Sequence, residues 1–284
     1  MAASLYRRNL PTFGVTGWLG LACVLALALP GCLGPLLLPL DPYGLGAERL
    51  AAPRLAGAGG PLLGTDDLGR DLLARLVYGA RSSLGIGIAV VAVAALAGTA
   101  LGLFAGVYGG RLDALIMRLM DAVMTLPSIL LAIVIVAALG PGLPNAMLAV
   151  TVVAVPRFTR LVRAVAALEM RKQYVQAARA AGASRFRILW SEVLPNCTGP
   201  VIAQAALGFS DAILEIAALG FLGLGATPPL AEWGAMLADA RPFIESAPYM
   251  MVLPGVCILL AVLGFNLLGD ALQDMLDPGT KVLR

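Results

Sequence analysis

The sequence predicts an all-α polytopic membrane protein with six transmembrane helices and both termini in the cytoplasm. Of its 284 residues, 60% are hydrophobic and only 13% are charged, against roughly 45–50% and about 25% in soluble proteins. The apolar residues form uncharged blocks long enough to cross a bilayer, which needs about 20 residues per helix. The cationic residues gather between alternate blocks. This composition excludes an ordinary soluble enzyme, because too few polar residues remain to cover a core in water.

The uncharged blocks define the predicted spans. The block 122–156 would be about 50 Å long as one helix, and the sequence Gly-Pro-Gly-Leu-Pro at 140–144 interrupts it. We therefore expect two spans joined by a tight turn. Only Asp211 and Glu215 interrupt the block that follows Val193, so we interpret it as one span that carries buried acids. The six predicted helices cover about 13–38, 84–108, 116–139, 145–165, 199–221 and 248–268.

The orientation follows from the distribution of Lys and Arg. With the N-terminus inside, 14 of the 20 cationic residues fall in cytoplasmic segments, which agrees with the positive-inside rule. Both termini are therefore predicted to be cytoplasmic. An alternative is a lipoprotein cleavage site at the Leu-Pro-Gly-Cys of 29–32, but the five spans that follow favour an uncleaved first helix.

The chain divides into four predicted segments. Residues 1–40 hold a cytoplasmic tail and the first span, 41–83 form a periplasmic loop, 84–270 form the membrane core, and 271–284 form a cytoplasmic tail. In the periplasmic loop, Thr65 is suited to cap a helix, and Asp71 and Arg75 are spaced as an i, i+4 pair. We expect an amphipathic helix there, lying on the outer membrane surface and leading into the second span.

Several chemistries are excluded by the residues that the sequence lacks. It has no histidine, so an imidazole base, a His-containing triad and a His metal site are impossible. Neither Lys172 nor Lys281 stands in a P-loop sequence, so the chain cannot bind ATP through that motif. The four cysteines show no Cys-x-x-Cys spacing, which favours a packing role. We expect no catalytic site, no metal and no cofactor, and the net charge of +3 gives little support for binding nucleic acid.

The cytoplasmic loop at about 167–197 is the most informative segment. Two short helical stretches, 174–181 and 183–194, flank Gly182. An arginine-rich face and an aromatic and aliphatic face make this loop a predicted docking surface. The alternative is an interfacial helix that lies on anionic lipid.

This loop carries a family resemblance. The stretch QYVQAARAAGASRFRILWSEVLPN (173–196) resembles the cytoplasmic EAA signature of ABC-importer permeases. The residues in register are Ala177, Ala178, Gly182, Leu194 and Pro195. Two positions depart from the signature, since Gln176 replaces its Glu and Glu192 replaces its Ile.

Other motifs extend the resemblance over nearly the whole chain. They are similar to the C-type permease subunit of bacterial dipeptide, oligopeptide and nickel importers, and LPNCTGPVIAQAALGFSDAILE (194–215) is most similar to the dipeptide branch. These motifs are LGTDDLGRD (63–71), VYGGRLD (107–113), ALGPGLPN (138–145), LGFLGLGATPP (219–229), EWGAML (232–237) and FNLLGDALQDMLDP (265–278).

The resemblance implies a type I ABC-importer permease (MetI-like) core in the bacterial inner membrane, importing dipeptides or short peptides, with oligopeptides or nickel as the alternative. It implies four companion subunits: a B-type permease that completes a heterodimeric pore, two cytoplasmic ATPases, and a periplasmic substrate-binding protein. The EAA loop would be the coupling helix that sits in a cleft of the ATPase. Its ATPase-coupling residues here are Gln176, Ala177, Ala178, Gly182, Leu194 and Pro195. A glycine at 182 would permit either a backbone bend or a close approach.

Asp211 and Glu215 form a second candidate site. They are spaced by one helical turn, with Ser210 adjacent, and an ionisable group inside a span indicates function by default because burying it unpaired costs several kcal/mol. The three residues are predicted either to line the translocation path, where they would meet a peptide's amino terminus, or to pair with the partner permease.

Three further features have predicted structural roles. Arg118 and Asp121 are spaced as an intrahelical ion pair near a bend at Pro127. Residues 226–247 are expected to touch the binding protein or, alternatively, to place Trp233 as an interfacial anchor. Small residues at every fourth position, Gly98, Gly102 and Gly106, predict close helix packing.

Two other function classes remain open from the sequence. A proton-coupled secondary transporter would use Asp211 or Glu215 as a relay and would transport solute without an ATPase. A structural membrane scaffold would leave the loop around Gly182 without a transport phenotype. An intramembrane enzyme is disfavoured because no nucleophile and base, or metal cluster, is visible.

Overall fold

The computed structural model of the protein describes residues 13–37, 40–46, 48–54 and 61–276. Its regular elements in this part of the chain are helices, followed in places by single turns of other helical types. Arg7, Arg8, Lys281 and Arg284, which count towards the predicted orientation, lie outside the described residues. The helices are α1 Val15–Leu37, α2 Leu72–Tyr108, α3 Gly110–Val123, α4 Ser128–Leu139, α5 Leu143–Glu169, α6 Gln173–Ala180, α7 Arg185–Ile188, α8 Leu194–Phe221, α9 Trp233–Ala240 and α10 Tyr249–Leu276.

Four described stretches are long and apolar enough to span a membrane: α1, α2, the stretch Arg185–Phe221 and α10. A fifth is added if α3 and α4 count as one broken span. The α5 helix coincides with the predicted span 145–165, but it does not meet this criterion of length and hydropathy. It is less apolar than the others because its second half carries three arginines. These helices fit a multi-pass membrane protein.

The predicted span 116–139 is broken in the structure. The axes of α3 and α4 meet at 87°, across a four-residue gap that ends at Pro127. Proline lacks a backbone N–H and disfavours helical geometry in the preceding residue, so a sharp turn here is expected from covalent structure. The sequence correctly indicates a bend at Pro127, but the uninterrupted helix through it is wrong.

The second span begins earlier than predicted and includes no separate surface helix. Asp71, not Thr65, caps α2, because its carboxylate accepts hydrogen bonds from the backbone N–H groups of Leu73 and Ala74. The Thr65 hydroxyl instead accepts from Ala51 N and donates to Glu48 O within the loop. The α2 helix then runs for 37 residues, about 55 Å at 1.5 Å per residue, and therefore exceeds the hydrocarbon thickness.

The centre of the fold is the packing of α2 against α5, with α8 beside both and α10 against α8 and α1. The glycine ladder of α2 makes this contact possible. A Cβ on Gly102 would lie 2.6 Å from Thr159 O, and one on Gly106 would lie 2.7 Å from the Cβ of Ala166. Both distances are too short for real atoms, so the prediction of close helix packing is confirmed.

Candidate coupling site and charged recess

The turn at Gly182 requires a backbone conformation that favours glycine. Gly182 has φ of +84°, and its N–H donates to Arg179 O while Ala183 N donates to Ala178 O. This is a helix C-terminal motif that places a left-handed residue just after α6. A Cβ on Gly182 would meet no atom of this chain within 4 Å, so the positive φ of the turn, and not crowding within the chain, favours glycine here.

The inner face of the loop packs onto the membrane helices. Val175, Ile188 and Leu189 are buried against Leu103 of α2 and Val162 of α5. Because this face is fully covered, the loop is held in one position by the apolar contacts that a buried surface provides.

The outer face of the loop is exposed and carries most of the predicted coupling residues. Gln176, Ala177, Gly182 and Pro195 are exposed, whereas Ala178 and Leu194 are partly buried at the edge of the core. Beside them, the rings of Phe186 and Trp190 contact each other with 58% and 55% of their surface exposed. Two adjacent exposed aromatic side chains are typical of a protein-binding surface.

The helix after α7 does not stop at Pro195, contrary to the prediction. A single π-helical turn, Leu189–Val193, joins α7 to α8, and Pro195 lies in the first turn of α8. Proline has no N–H to donate, and it is tolerated here because it follows a π-helical turn in which the regular i→i−4 hydrogen bonds are already interrupted. The loop and the following span are therefore one continuous rod.

The structure explains one departure from the EAA signature. The Gln176 side chain donates from Nε2 to Met170 O at 2.9 Å, which satisfies a carbonyl at the end of α5. A carboxylate cannot donate this hydrogen bond, so glutamine fits this position better than the signature's glutamate. Nothing in the described residues explains Glu192 at the position of the signature's Ile.

A polar cluster that the sequence reasoning missed lies behind this surface. Glu169 is 6% exposed and accepts hydrogen bonds from Lys172 Nζ at 2.6 Å and from the Tyr174 hydroxyl at 2.5 Å. Burial raises the pKa of Glu169, but these two hydrogen bonds outweigh it and the net pKa lies below the usual value. Burial and the adjacent Glu169 carboxylate raise the pKa of Tyr174 to about 12. Lys172 and Tyr174 lie three and five residues after Glu169, and this spacing in the sequence could have indicated the cluster.

The predicted acids of α8 face a recess together with a residue from α5. Asp211 is half-exposed and forms an ion pair with Arg157, and Glu215 lines the same recess. Ser210 does not face it, because its hydroxyl is buried and donates to Val262 O of α10. The structure thus brings two of the three predicted residues together and adds Arg157, which lies within the predicted fourth span, 145–165.

The α5 arginines form a row of cross-helix ion pairs. Arg160 pairs with Asp121 at 2.5 Å, and both Arg163 Nε and Nη2 bind the carboxylate of Asp113 at 2.5 and 2.6 Å. The predicted intrahelical pair of Arg118 with Asp121 is therefore wrong. Asp121 pairs with Arg160 instead because α3 packs against α5, which brings the Arg160 guanidinium within hydrogen-bond distance of the Asp121 carboxylate.

At the opposite end of α2, the middle of the segment 226–247 is buried in the protein, whereas residues 227–229 and 244–246 are exposed. Trp233 is fully buried, and its indole N–H donates to Leu76 O at 3.3 Å. The prediction of Trp233 as an interfacial anchor is therefore wrong. Glu232 caps α9 by accepting from Gly234 N and Ala235 N, and it also accepts from the Ser83 hydroxyl at 3.2 Å. Burial raises the pKa of Glu232 against the opposing effect of these hydrogen bonds.

The same end contains a buried ionic cluster. Asp66, Arg70 and Arg75 are each at most 6% exposed, and Arg70 Nε lies 2.5 Å from Asp66 Oδ2. Arg75 lies 3.5 Å from Asp66 and 3.7 Å from Asp239 of α9. The predicted pairing of Asp71 with Arg75 is wrong, because Asp71 caps the helix and Arg75 points into the cluster.

Comparison with known proteins defines the class of this chain. The model of the family described as "Binding-protein-dependent transport system inner membrane component" matches residues 98–282. The chain belongs to this family of multi-pass inner-membrane permeases of ABC importers.

Within that family, the chain is similar to peptide permeases. It is 50% identical to the di/tripeptide transport system permease protein DppC of Pseudomonas aeruginosa strain UCBPP-PA14, over 92% of this chain and 88% of that protein. It is 46% identical to the dipeptide transport system permease protein DppC of Haemophilus influenzae, over 93% and 90%. The corresponding protein of Escherichia coli K12 is 48% identical over 86% and 82%. The resemblance to the dipeptide branch is confirmed.

A solved structure supports the fold. The MetNI methionine ABC transporter in an inward-facing conformation aligns with a TM-score of 0.51 at 20% identity, covering 66% of this chain and 92% of that chain. At this identity the likeness concerns the fold alone. The predicted all-helical, MetI-like fold is confirmed.

Proposed function

We propose that this chain forms half of the translocation pore of an ATP-driven importer of dipeptides or short peptides, and that it has no catalytic activity itself. The observation that carries the proposal is the extent of the likeness to peptide permeases, which reaches 50% identity over 92% of this chain. Oligopeptides and nickel are the alternative substrates within the same family.

The proposal includes a topology and a set of partners. We place six spans in the membrane, with both termini cytoplasmic, and a pore shared with a B-type permease. The permease core covers about 84–270. Residues 72–83 of α2 would then extend beyond the bilayer into the periplasm, which agrees with the length of that helix. Two cytoplasmic ATPases and a periplasmic binding protein complete the importer.

Energy would reach the pore through the surface formed by Gln176, Ala177, Ala178, Gly182, Leu194 and Pro195. Closure of the ATPases would push on this surface, and α8 would move with it because the loop and the helix are continuous. The membership of the chain in a family of ABC-importer permeases supports docking of a protein on this surface more than docking on lipid headgroups.

Reconstitution of the complete importer tests the function. The chain would be placed in vesicles with its permease partner, ATPases and binding protein, and labelled dipeptide, pentapeptide and Ni²⁺ compared. We expect dipeptide to stimulate ATP hydrolysis and to accumulate. Accumulation of Ni²⁺ alone would overturn the substrate assignment. Uphill transport by this chain without companions, abolished by an uncoupler, would instead establish a proton-coupled secondary transporter.

Gly182→Asp tests the coupling surface. We expect the variant to reach the membrane but to lose co-purifying ATPase and uptake. Gly223→Asp is a matched control, because Gly223 has φ of +77°, open space and the same type of helix C-terminal hydrogen bonds at the end of α8. Equal losses in both variants would mean that backbone strain, and not docking, is responsible.

The recess of Arg157, Asp211 and Glu215 is proposed to face either the translocation path or the partner permease. Its charges are half-exposed in a segment that crosses the membrane, which is costly against lipid. Asp211→Ala distinguishes the two positions, with Asp121→Ala as the control that removes a similar pair from α5. Reduced uptake per assembled complex indicates the path, whereas reduced assembly with normal uptake per complex indicates the interface.

A further inference from the structure

Three helices meet at the base of the coupling loop through a continuous chain of hydrogen bonds. Glu169 ends α5, Tyr174 lies on α6, and Asn196 lies in the first turn of α8. The Tyr174 hydroxyl donates to Glu169 Oε2 at 2.5 Å and accepts from Asn196 Nδ2 at 3.1 Å. Lys172 holds the other oxygen of Glu169 at 2.6 Å. We call these four residues the coupling joint.

The joint adds directional contacts between the ends of two membrane helices to the apolar contacts that bury the loop. Val175, Ile188 and Leu189 fix the loop by apolar burial, which resists separation but has no preferred orientation. Hydrogen bonds require alignment of donor and acceptor, and those to an ionised carboxylate are about twice as strong as neutral ones. Glu169 is buried and charged, so its two donors cannot leave without a large desolvation cost.

Asn196 extends the connection into the transmembrane rod. The same amide nitrogen that reaches Tyr174 also donates to Glu192 O at 2.7 Å, within the π-helical turn that leads into α8. Tyr174 therefore links the end of one membrane helix to the start of another, across the loop that joins them. Its ring is on the surface while its hydroxyl carries both bonds.

We propose that the coupling joint makes the loop, the end of α5 and the start of α8 move as one body when the ATPases close, and that Tyr174 is the positioning residue at its centre. This inference rests on the proposed function. Without the joint, the ATPases would still dock on the exposed surface, but the loop would move without moving the ends of α5 and α8. ATP would then be hydrolysed without a matching movement of the pore.

The test measures dipeptide accumulated per ATP hydrolysed in vesicles that contain the complete importer. For Tyr174→Phe we expect normal ATPase co-purification and a roughly tenfold lower ratio, the factor that corresponds to losing one hydrogen bond to a charged group. Tyr43→Phe, which removes the hydroxyl of an exposed tyrosine on the 41–71 loop, is the control and should keep the ratio. An unchanged ratio in Tyr174→Phe overturns the joint, as does a loss of ATPase binding, which would make Tyr174 a docking residue.

A second substitution distinguishes the loss of this specific chain of hydrogen bonds from a general loss of rigidity in the loop. Asn196→Ala should lower the ratio, and Tyr174→Phe combined with it should lower the ratio no further, since both break the same chain. Additive effects would contradict the proposal. Failure of the unaltered importer to transport dipeptide would disprove the proposed function, whereas normal transport with an unchanged ratio in both variants would disprove the joint alone.

Discussion

The two ends of α2 are built in opposite ways. At the end near residue 72, which we call the α9 end, charged and aromatic groups are turned inward: Arg75 is 3% exposed and Trp233 is fully buried. At the other end, which we call the coupling end, Trp190 and Phe186 are more than half exposed. Large aromatic side chains are therefore buried at the α9 end and exposed at the coupling end.

The difference indicates where the protein depends on partners. The polar groups of the α9 end find most of their partners in the chain itself, so this end is organised before any other subunit binds. The coupling end also buries the charged Glu169 beside its apolar interior, but its outer surface leaves the aromatic rings of Phe186 and Trp190 exposed. We expect mutations at the α9 end to affect folding and those at the coupling end to affect assembly and transport.

The largest expected effect comes from Trp233→Ala at the α9 end. Removing a fully buried indole leaves a cavity and should cost as much as about 5 kcal/mol in the free energy of unfolding. Trp190→Ala is the matched change at the coupling end and should leave thermal stability nearly unchanged while it lowers ATPase co-purification. Thermal unfolding in detergent measures the first effect. Equal destabilisation by both substitutions would remove the contrast between the two ends.

Arg75→Met should have the next largest effect. The substitution removes the cationic partner of Asp239, whereas Asp66 keeps its bond to Arg70. We therefore expect a loss of about 3 kcal/mol, the lower end of the range for breaking a buried ion pair. The control is Arg54→Met, since Arg54 pairs with Glu48 at an exposed site where ion pairs contribute little. A midpoint of unfolding that is the same for both variants would show that the cluster is not structural.

Gln176→Glu should have the smallest effect and sharpens the account of the coupling end. The substitution restores the residue of the EAA signature but removes the donor to Met170 O, so we expect a loss of about 1 kcal/mol and faster hydrogen exchange in α6. Gln173→Glu adds the same charge to the same helix and should not accelerate exchange. Slower exchange in Gln176→Glu would show that the carboxylate is the better residue here.

Local signals predicted the features that depend on neighbouring residues. The bend at Pro127, the interruption of the loop helices at Gly182 and the close packing of the glycine ladder each follow from the covalent properties of one residue type. The ion pairs could not be predicted from such local signals. Arg118, Asp71 and Ser210 all have plausible neighbours in sequence, but packing gave Asp121 to Arg160, used Asp71 as a cap and turned Ser210 towards α10.

The amino-acid sequence by itself determined that this is a helical membrane protein, because hydropathy is a property of consecutive residues, and the resemblance of its motifs to those of known permeases implied the ABC-importer class. Packing decided which charges meet. The recess at Arg157 and the coupling joint at Glu169 join residues from separate helices, and no periodicity along one helix specifies which face of another it will meet. Those contacts exist only once the apolar faces have been buried and the helices have taken fixed positions.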